Sequence, residues 1–222
     1  MALAVITGAS RGLGHALARA LHDEGWDLVL DARDPVALHA SAPAGATVLT
    51  GDVTDPAHRA DLVAAVAVHG HLDLLVNNAS HLGPSPQPAL ADYPLAELRR
   101  VYEVDVLAPL ALVQDLLPYL TGAVVNISSD AAAEAYEGWG GYGSAKAALD
   151  HVSAVLALEL PEVRVYAFDP GDMRTQMQQD AFPGEDISDR PLPETVVPAF
   201  FALLQQPSGR YRAADLQPAA AR

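Results

Sequence analysis

Apolar runs of five or six residues alternate with longer stretches of helical spacing along the whole chain, and this alternation restricts the fold more than any other feature. The runs are Leu3–Thr7, Asp27–Asp31, Ala46–Thr50, Leu72–Val76, Ala123–Ser128 and Val163–Phe168, with a shorter one at Arg210–Tyr211. Helical stretches fall between them, at Leu13–Glu24, Val36–Ser41, Pro56–His69, Pro94–Tyr119, Ala145–Leu160 and Pro193–Gln205. Runs that are apolar at every position suit strands buried on both faces, and an intervening helix brings each strand back parallel to the one before. The expectation is an α/β fold: a doubly wound parallel sheet of about seven strands with helices on both faces, a three-layer sandwich. No linker or internal repeat divides residues 1–222, so a single domain is expected. Pro109 and Pro118 predict a kink and an end within Pro94–Tyr119. Gly83–Pro88 and the glycine-rich Gly138–Gly143 read as loops, and residues 213–222 as a frayed tail.

Composition narrows the function classes. A net charge of −15 without a basic cluster repels a phosphate backbone, which argues against nucleic acid as a partner. No apolar run approaches the roughly 18 residues of a membrane span, and no basic leader precedes the first strand, so a cytoplasmic protein without a membrane partner is expected. The chain has no cysteine. His69 and His71 have no third ligand at suitable spacing, so no metal site is expected.

In a sheet of this kind ligands bind beyond the carboxyl ends of the strands. The first such turn is Thr7-Gly8-Ala9-Ser10-Arg11-Gly12-Leu13-Gly14, between a strand and a helix. Gly8 permits a sharp reversal, Gly12 a close backbone approach to a pyrophosphate, and Gly14 close packing of helix on strand. The helix N-terminus offers unsatisfied N–H groups to an anion. Ala32-Arg33, Asp52, Asn78, Ser128-Ser129 and Pro170 would gather on the same rim.

Together these residues resemble the single-domain short-chain dehydrogenase/reductase family. The likeness runs from Thr7 to Tyr211 through Thr7-Gly8-x-x-x-Gly12-x-Gly14, Asp52-Val53, Asn77-Asn78-Ala79, Ser129, Tyr142-x-x-x-Lys146 and Pro170-Gly171. The resemblance implies an NAD(P)-dependent oxidoreductase moving a hydride between nicotinamide and a carbonyl or secondary alcohol. Tyr142 would exchange the proton, and Lys146, on the same helix face, would favour the phenolate and hold the nicotinamide ribose. Ser129, thirteen positions before Tyr142, would orient the substrate oxygen, leaving Ser128 structural.

Asp105 stands where the family has an asparagine whose carbonyl holds a relay water, and a carboxylate there could alter the relay. Ser80 replaces a glycine and reads as a structural variation. Cofactor contacts are implied for Gly8, Ser10, Arg11, Gly12, Leu13, Gly14, Arg33, Asp52, Val53, Asn78, Ala79, Tyr142, Lys146, Pro170, Gly171, Met173 and Thr175. Arg11 and Arg33 occupy places used for the NADP 2′-phosphate, to which guanidinium is suited. Asp31 opposes them, but lies one residue short of the place taken by the acidic partner of NAD, and one residue turns a strand side chain to the other face. NADP(H) is therefore favoured, with NAD(H) possible.

Asp172–Arg190 resembles a substrate lid. Tyr136 and Trp139 either line the substrate pocket or cover the loop. Glu134, Asp169 and Asp172 read as solvated charge. Apolar faces on Pro94–Tyr119 and Ala145–Leu160 suggest a homodimer or homotetramer. A non-catalytic dinucleotide-binding protein and a sugar-nucleotide epimerase or dehydratase are the alternative readings.

Overall fold

The computed structural model describes residues 1–216. Seven strands form one parallel sheet in the order β3-β2-β1-β4-β5-β6-β7. They are β1 (Leu3–Ile6), β2 (Asp27–Ala32), β3 (Thr47–Thr50), β4 (Leu72–Asn77), β5 (Leu120–Ile127), β6 (Arg164–Asp169) and β7 (Gly209–Arg212). The expected doubly wound parallel sheet is what the chain forms, and the alternation of strand residues explains its two cores. Ile6, Leu28, Leu30, Val76, Val125 and Phe168 face helix α1 (Gly12–Asp23) and helix α8 (Val197–Leu203). Leu3, Val5, Val29, Leu75, Val124 and Val165 face helix α3 (Pro56–Ala67) and helix α5 (Ala108–Leu116). Short helix α2 (Pro35–Ser41) links β2 to β3 and is capped by Asp34, which accepts from the N–H groups of Val36 and Ala37.

The long stretch before β5 is not one helix. Helix α4 (Leu95–Tyr102) passes into a π turn at Glu103–Leu107 and then into α5. Pro109 has no N–H to give to the carbonyl four residues back, that of Asp105, and the Ala108 N–H reaches Glu103 instead. The interruption expected at Pro109 therefore lies on its N-terminal side. Asp105 sits inside the turn, fully buried.

Helix α6 begins at Gly140 and runs to Glu159, which corrects the expectation of a flexible Gly138–Gly143 followed by a helix from Ala145. Its glycines provide closeness, not freedom. A Cβ on Gly141 would overlap the Tyr93 ring, and one on Gly143 would stand 2.6 Å from the Ala131 carbonyl oxygen. Farther along, Asn77 Nδ2 donates to Asn126 Oδ1 at 2.7 Å and Asn126 Nδ2 to Ser153 Oγ at 2.8 Å. This buried chain ties α6 to β4 and β5, with Lys146 and Leu149 on the same inner face.

Helix α7 (Gln176–Ala181) lies within the expected lid, and helix α9 (Ala213–Leu216) follows β7. The frayed tail expected from 213 is thus helical for its first four residues; 217–222 lie outside the described residues.

Candidate active site

Parallel strands put every carboxyl end on one rim, and the chain reverses its direction of travel between β1 and β4. Asn78 fastens the turns at that crevice. Its Nδ2 donates to the carbonyls of Thr7 at 2.8 Å and Gly8 at 3.1 Å, while Thr7 Oγ1 accepts from the N–H groups of Asn78 and Ala79 at 3.0 Å each. Gly8 and Gly12 adopt φ values of +65° and +57°. Gly14 fits because a Cβ would come within 2.5 Å of Asn78 and 2.6 Å of the Gly8 oxygen. Arg11 precedes α1 in extended conformation without a capping side chain, so the first N–H groups of that helix are left for a ligand.

A cavity of about 710 Å³ opens along the rim. It is lined by Gly8, Ser10, Arg11, Gly12, Leu13, Arg33, Asp52, Val53, Asn78 and Ala79 at one end. Ser129, Tyr142, Lys146, Pro170, Gly171, Met173 and Thr175 line the other. Of the residues predicted from sequence, only Gly14 and Asp105 lie outside its wall, the first in the packing beneath the turn and the second buried behind Lys146. An uncapped helix start, glycines at positive φ and a cleft of this size suit a dinucleotide. Asp52 Oδ1 accepts from the Thr54 N–H and hydroxyl at 3.0 and 2.8 Å, with Arg100 3.4 Å from Oδ2. Burial would raise its pKa, but these partners hold it below the ordinary value. Arg11 and Arg33 are exposed and, among the described residues, pair with no carboxylate.

At the other end Lys146, 2% exposed, donates to the Ile127 carbonyl at 2.9 Å and stands 3.7 Å from Asp105 Oδ1. Its Nζ is 5.4 Å from the centre of the Tyr142 ring. Tyr142 is buried, and burial, followed by the charge of Asp105, pushes its phenol well above the ordinary value. This differs from the expectation that Lys146 brings the phenol toward working pH; in the protein alone the ammonium lies against Asp105. Burial also raises Asp105, against the pull of Lys146. Asp105 Oδ1 accepts from the His81 N–H at 3.0 Å.

Sequence reasoning gave Ser80 only a structural role. Ser80 lines the cavity, and its buried hydroxyl has no hydrogen-bond partner among the described residues. A serine in place of a glycine was the available signal. Ser129 Oγ donates to Asp130 Oδ1 at 2.9 Å and accepts from the Ala131 N–H at 3.2 Å, whereas Ser128 Oγ is buried without a partner among the described residues. Trp139 lines the cavity, edge-on to Tyr142 with ring centres 5.9 Å apart. Tyr136 is turned outward to Glu134 and Asp130, and hydrogen bonding to Glu134 raises its phenol to about 12. Asp169, expected in solvent, is buried beside Arg212 at 3.3 Å, and its Oδ1 accepts from the Gly171 N–H at 2.9 Å. Met177 and Ala181, from the segment Asp172–Arg190, pack with Trp139 against the buried cluster of Leu82, Ala131 and Tyr142.

The sequence matches the family described as short chain dehydrogenase over residues 2–186. The chain belongs to the short chain dehydrogenase family. An uncharacterized oxidoreductase of Staphylococcus epidermidis is 32% identical over 218 residues, spanning 93% of this chain and 92% of that protein. Rat sepiapterin reductase is 36% identical over 200 residues, spanning 80% of this chain and 76% of its own length. A short chain dehydrogenase of Escherichia coli CFT073, crystallised with NADPH, superposes with a TM-score of 0.88 at 26% identity, covering 98% of this chain and 97% of that one. The fold is thus shared with that Escherichia coli protein over nearly the whole length of both chains. None of the described helices is long and apolar enough to cross a membrane.

Proposed function

We propose that this short chain dehydrogenase reduces a small carbonyl compound with NADPH, or oxidises the corresponding alcohol with NADP⁺, using Tyr142 as the group that exchanges the proton. The observation that carries the reading is the meeting of a buried phenol and a buried ammonium at one end of a cleft whose other end has a glycine turn, an uncapped helix and two unpaired arginines. When bound, the dinucleotide would supply the hydride in reduction and accept it in oxidation.

The chain's own residues divide the remaining work. The N–H groups at the start of α1 hold the pyrophosphate, and Arg11 and Arg33 take the 2′-phosphate through charge and paired donors. Asp52 and Val53 receive the adenine. Lys146 holds the nicotinamide ribose and balances charge as Tyr142 gives up its proton. Ser129 orients the substrate oxygen once its hydroxyl leaves Asp130. Pro170, Gly171, Met173 and Thr175 support the nicotinamide end, and Asp172–Arg190 covers the substrate. Asp105, whose carboxylate faces Lys146 at 3.7 Å, is the acid that acts on this proton path.

Trp139, Met177 and Ala181 give the substrate end an apolar patch beside Gln176, Gln178 and Asp180, which favours a carbonyl compound carrying both an aromatic or hydrophobic part and polar groups. The homology to a sepiapterin reductase supports including sepiapterin in a substrate panel. The test is calorimetric titration with both dinucleotides, followed by NADPH oxidation against that panel. Tight NADPH binding with turnover of at least one carbonyl is the expected result; no dinucleotide binding rules the reading out. We further propose a cytoplasmic homodimer or homotetramer, paired through α4, α5 and α6, where Leu95, Leu107, Val155 and Leu158 are exposed.

A further inference from the structure

Asp31 lies in the cavity wall near the end of β2, where an exposed carboxylate would repel a phosphate and attract a ribose diol. Yet it is 1% exposed, and both its oxygens are engaged. Oδ1 accepts from the Gly8 N–H at 3.3 Å, and Oδ2 faces His58 Nε2 at 2.5 Å. The register supplies the direction: Leu28, Leu30 and Ala32 belong to the core against α1, so Asp31, like Val29, points to the opposite face, where α3 lies.

His58 enters from the first turn of α3, which Asp55 caps by accepting from the Ala57 N–H at 2.9 Å. The imidazole is 6% exposed and occupies the space in which any side chain at position 51 would stand, so Gly51 makes room for it. The hydrogen bond with Asp31 raises the imidazole's pKa against the effect of burial, helped by the charges of Asp31, Asp61 and Asp55. Burial pushes Asp31 up in turn, against the hydrogen bond and charge of His58. Glycine turn, β2, the β3–α3 turn and α3 all meet at this pair.

We propose that His58 is a cofactor-specificity residue: by holding the Asp31 carboxylate toward α3 and beneath Gly8, it withholds that carboxylate from the nucleotide ribose and leaves the rim to Arg11 and Arg33, so that the cleft takes the 2′-phosphorylated dinucleotide. The inference rests on the NADP(H) reading above. Without His58 the carboxylate would be buried with a single long hydrogen bond, and turning toward the ribose hydroxyls and solvent would be its relief.

The experiment is calorimetric titration of NADPH and NADH into the protein and four variants. Losing one charge-assisted partner changes affinity by roughly tenfold or more, so His58→Ala should lower the NADPH-to-NADH affinity ratio by about that factor. His58→Gln keeps an N–H donor at a comparable reach and should hold the ratio within about threefold of the parent. In the Asp31→Ser background, His58→Ala should leave the ratio where Asp31→Ser alone puts it. An unmoved ratio in His58→Ala overturns the inference. So does Asp31→Ser alone if it raises the NADPH preference by about tenfold, since the carboxylate would then already act on the cofactor. That second arm decides the matter even where His58→Ala fails to fold. A parent that binds neither dinucleotide removes the functional reading and this inference with it, whereas a parent that prefers NADPH with unmoved variants removes this inference alone.

Discussion

Asp105, Lys146 and Tyr142 meet as three buried polar groups at one end of the cleft. Asp105 opposes loss of the Tyr142 proton, second only to burial itself. Removing that charge in Asp105→Asn should therefore move the ionisation of Tyr142 downward. Alcohol oxidation, which needs the phenolate, should gain activity at lower pH than in the parent, as kcat/KM profiles on NADP⁺ and a secondary alcohol would register. An unmoved or upward-shifted limb would contradict the assignment of Asp105 as the opposing charge. The residues that carry this chemistry were legible in different degrees. Tyr142 and Lys146 stand four apart on a helix, a local relation that spacing exposes. Asp105 and His58 act across separations that no local pattern encodes: His58 meets Asp31 27 residues away.

At the scale of elements, the sheet was readable because apolar runs and helical spacing are short-range properties, and because parallel crossovers follow from their alternation. The start of α6 was misread for a physical reason. Glycine density signals a breaker, yet here the glycines let the helix approach Tyr93 and Ala131. Gly143→Ala should accordingly cost about 1–3 kcal/mol, the usual penalty of overpacking, measured as a lowered urea midpoint. A midpoint equal to the parent's would show that Ala131 gives way. The contact between α3 and β2 predicts a pH limb. His58 has its folded pKa raised above the unfolded 6.5, so its contribution to stability is complete below that value and is lost as pH rises through the folded one. Urea midpoints taken from about pH 6 to 9 should fall with pH in the parent, and less steeply in His58→Gln.

For the whole molecule, an acidic chain with a net charge of −15 keeps at one end of its cleft two arginines that form no ion pair among the described residues, and that contrast is why NADP(H) is proposed. The same scale holds the expected assembly. Leu158 is 84% and Leu95 63% exposed, on helices α6 and α4 that pack side by side. Leu158→Glu should shift the sedimenting species from dimer or tetramer toward monomer; a parent already monomeric would contradict pairing through these helices. The central claim, that Tyr142 exchanges the proton in a cleft holding NADP(H), is tested most directly by one comparison. NADPH oxidation by the parent and by Tyr142→Phe is followed with the best carbonyl of the panel, alongside calorimetric NADPH affinity for both. The account predicts a rate lowered by about 10²–10⁴-fold with affinity kept within about threefold. Turnover at the parental rate by Tyr142→Phe would contradict it.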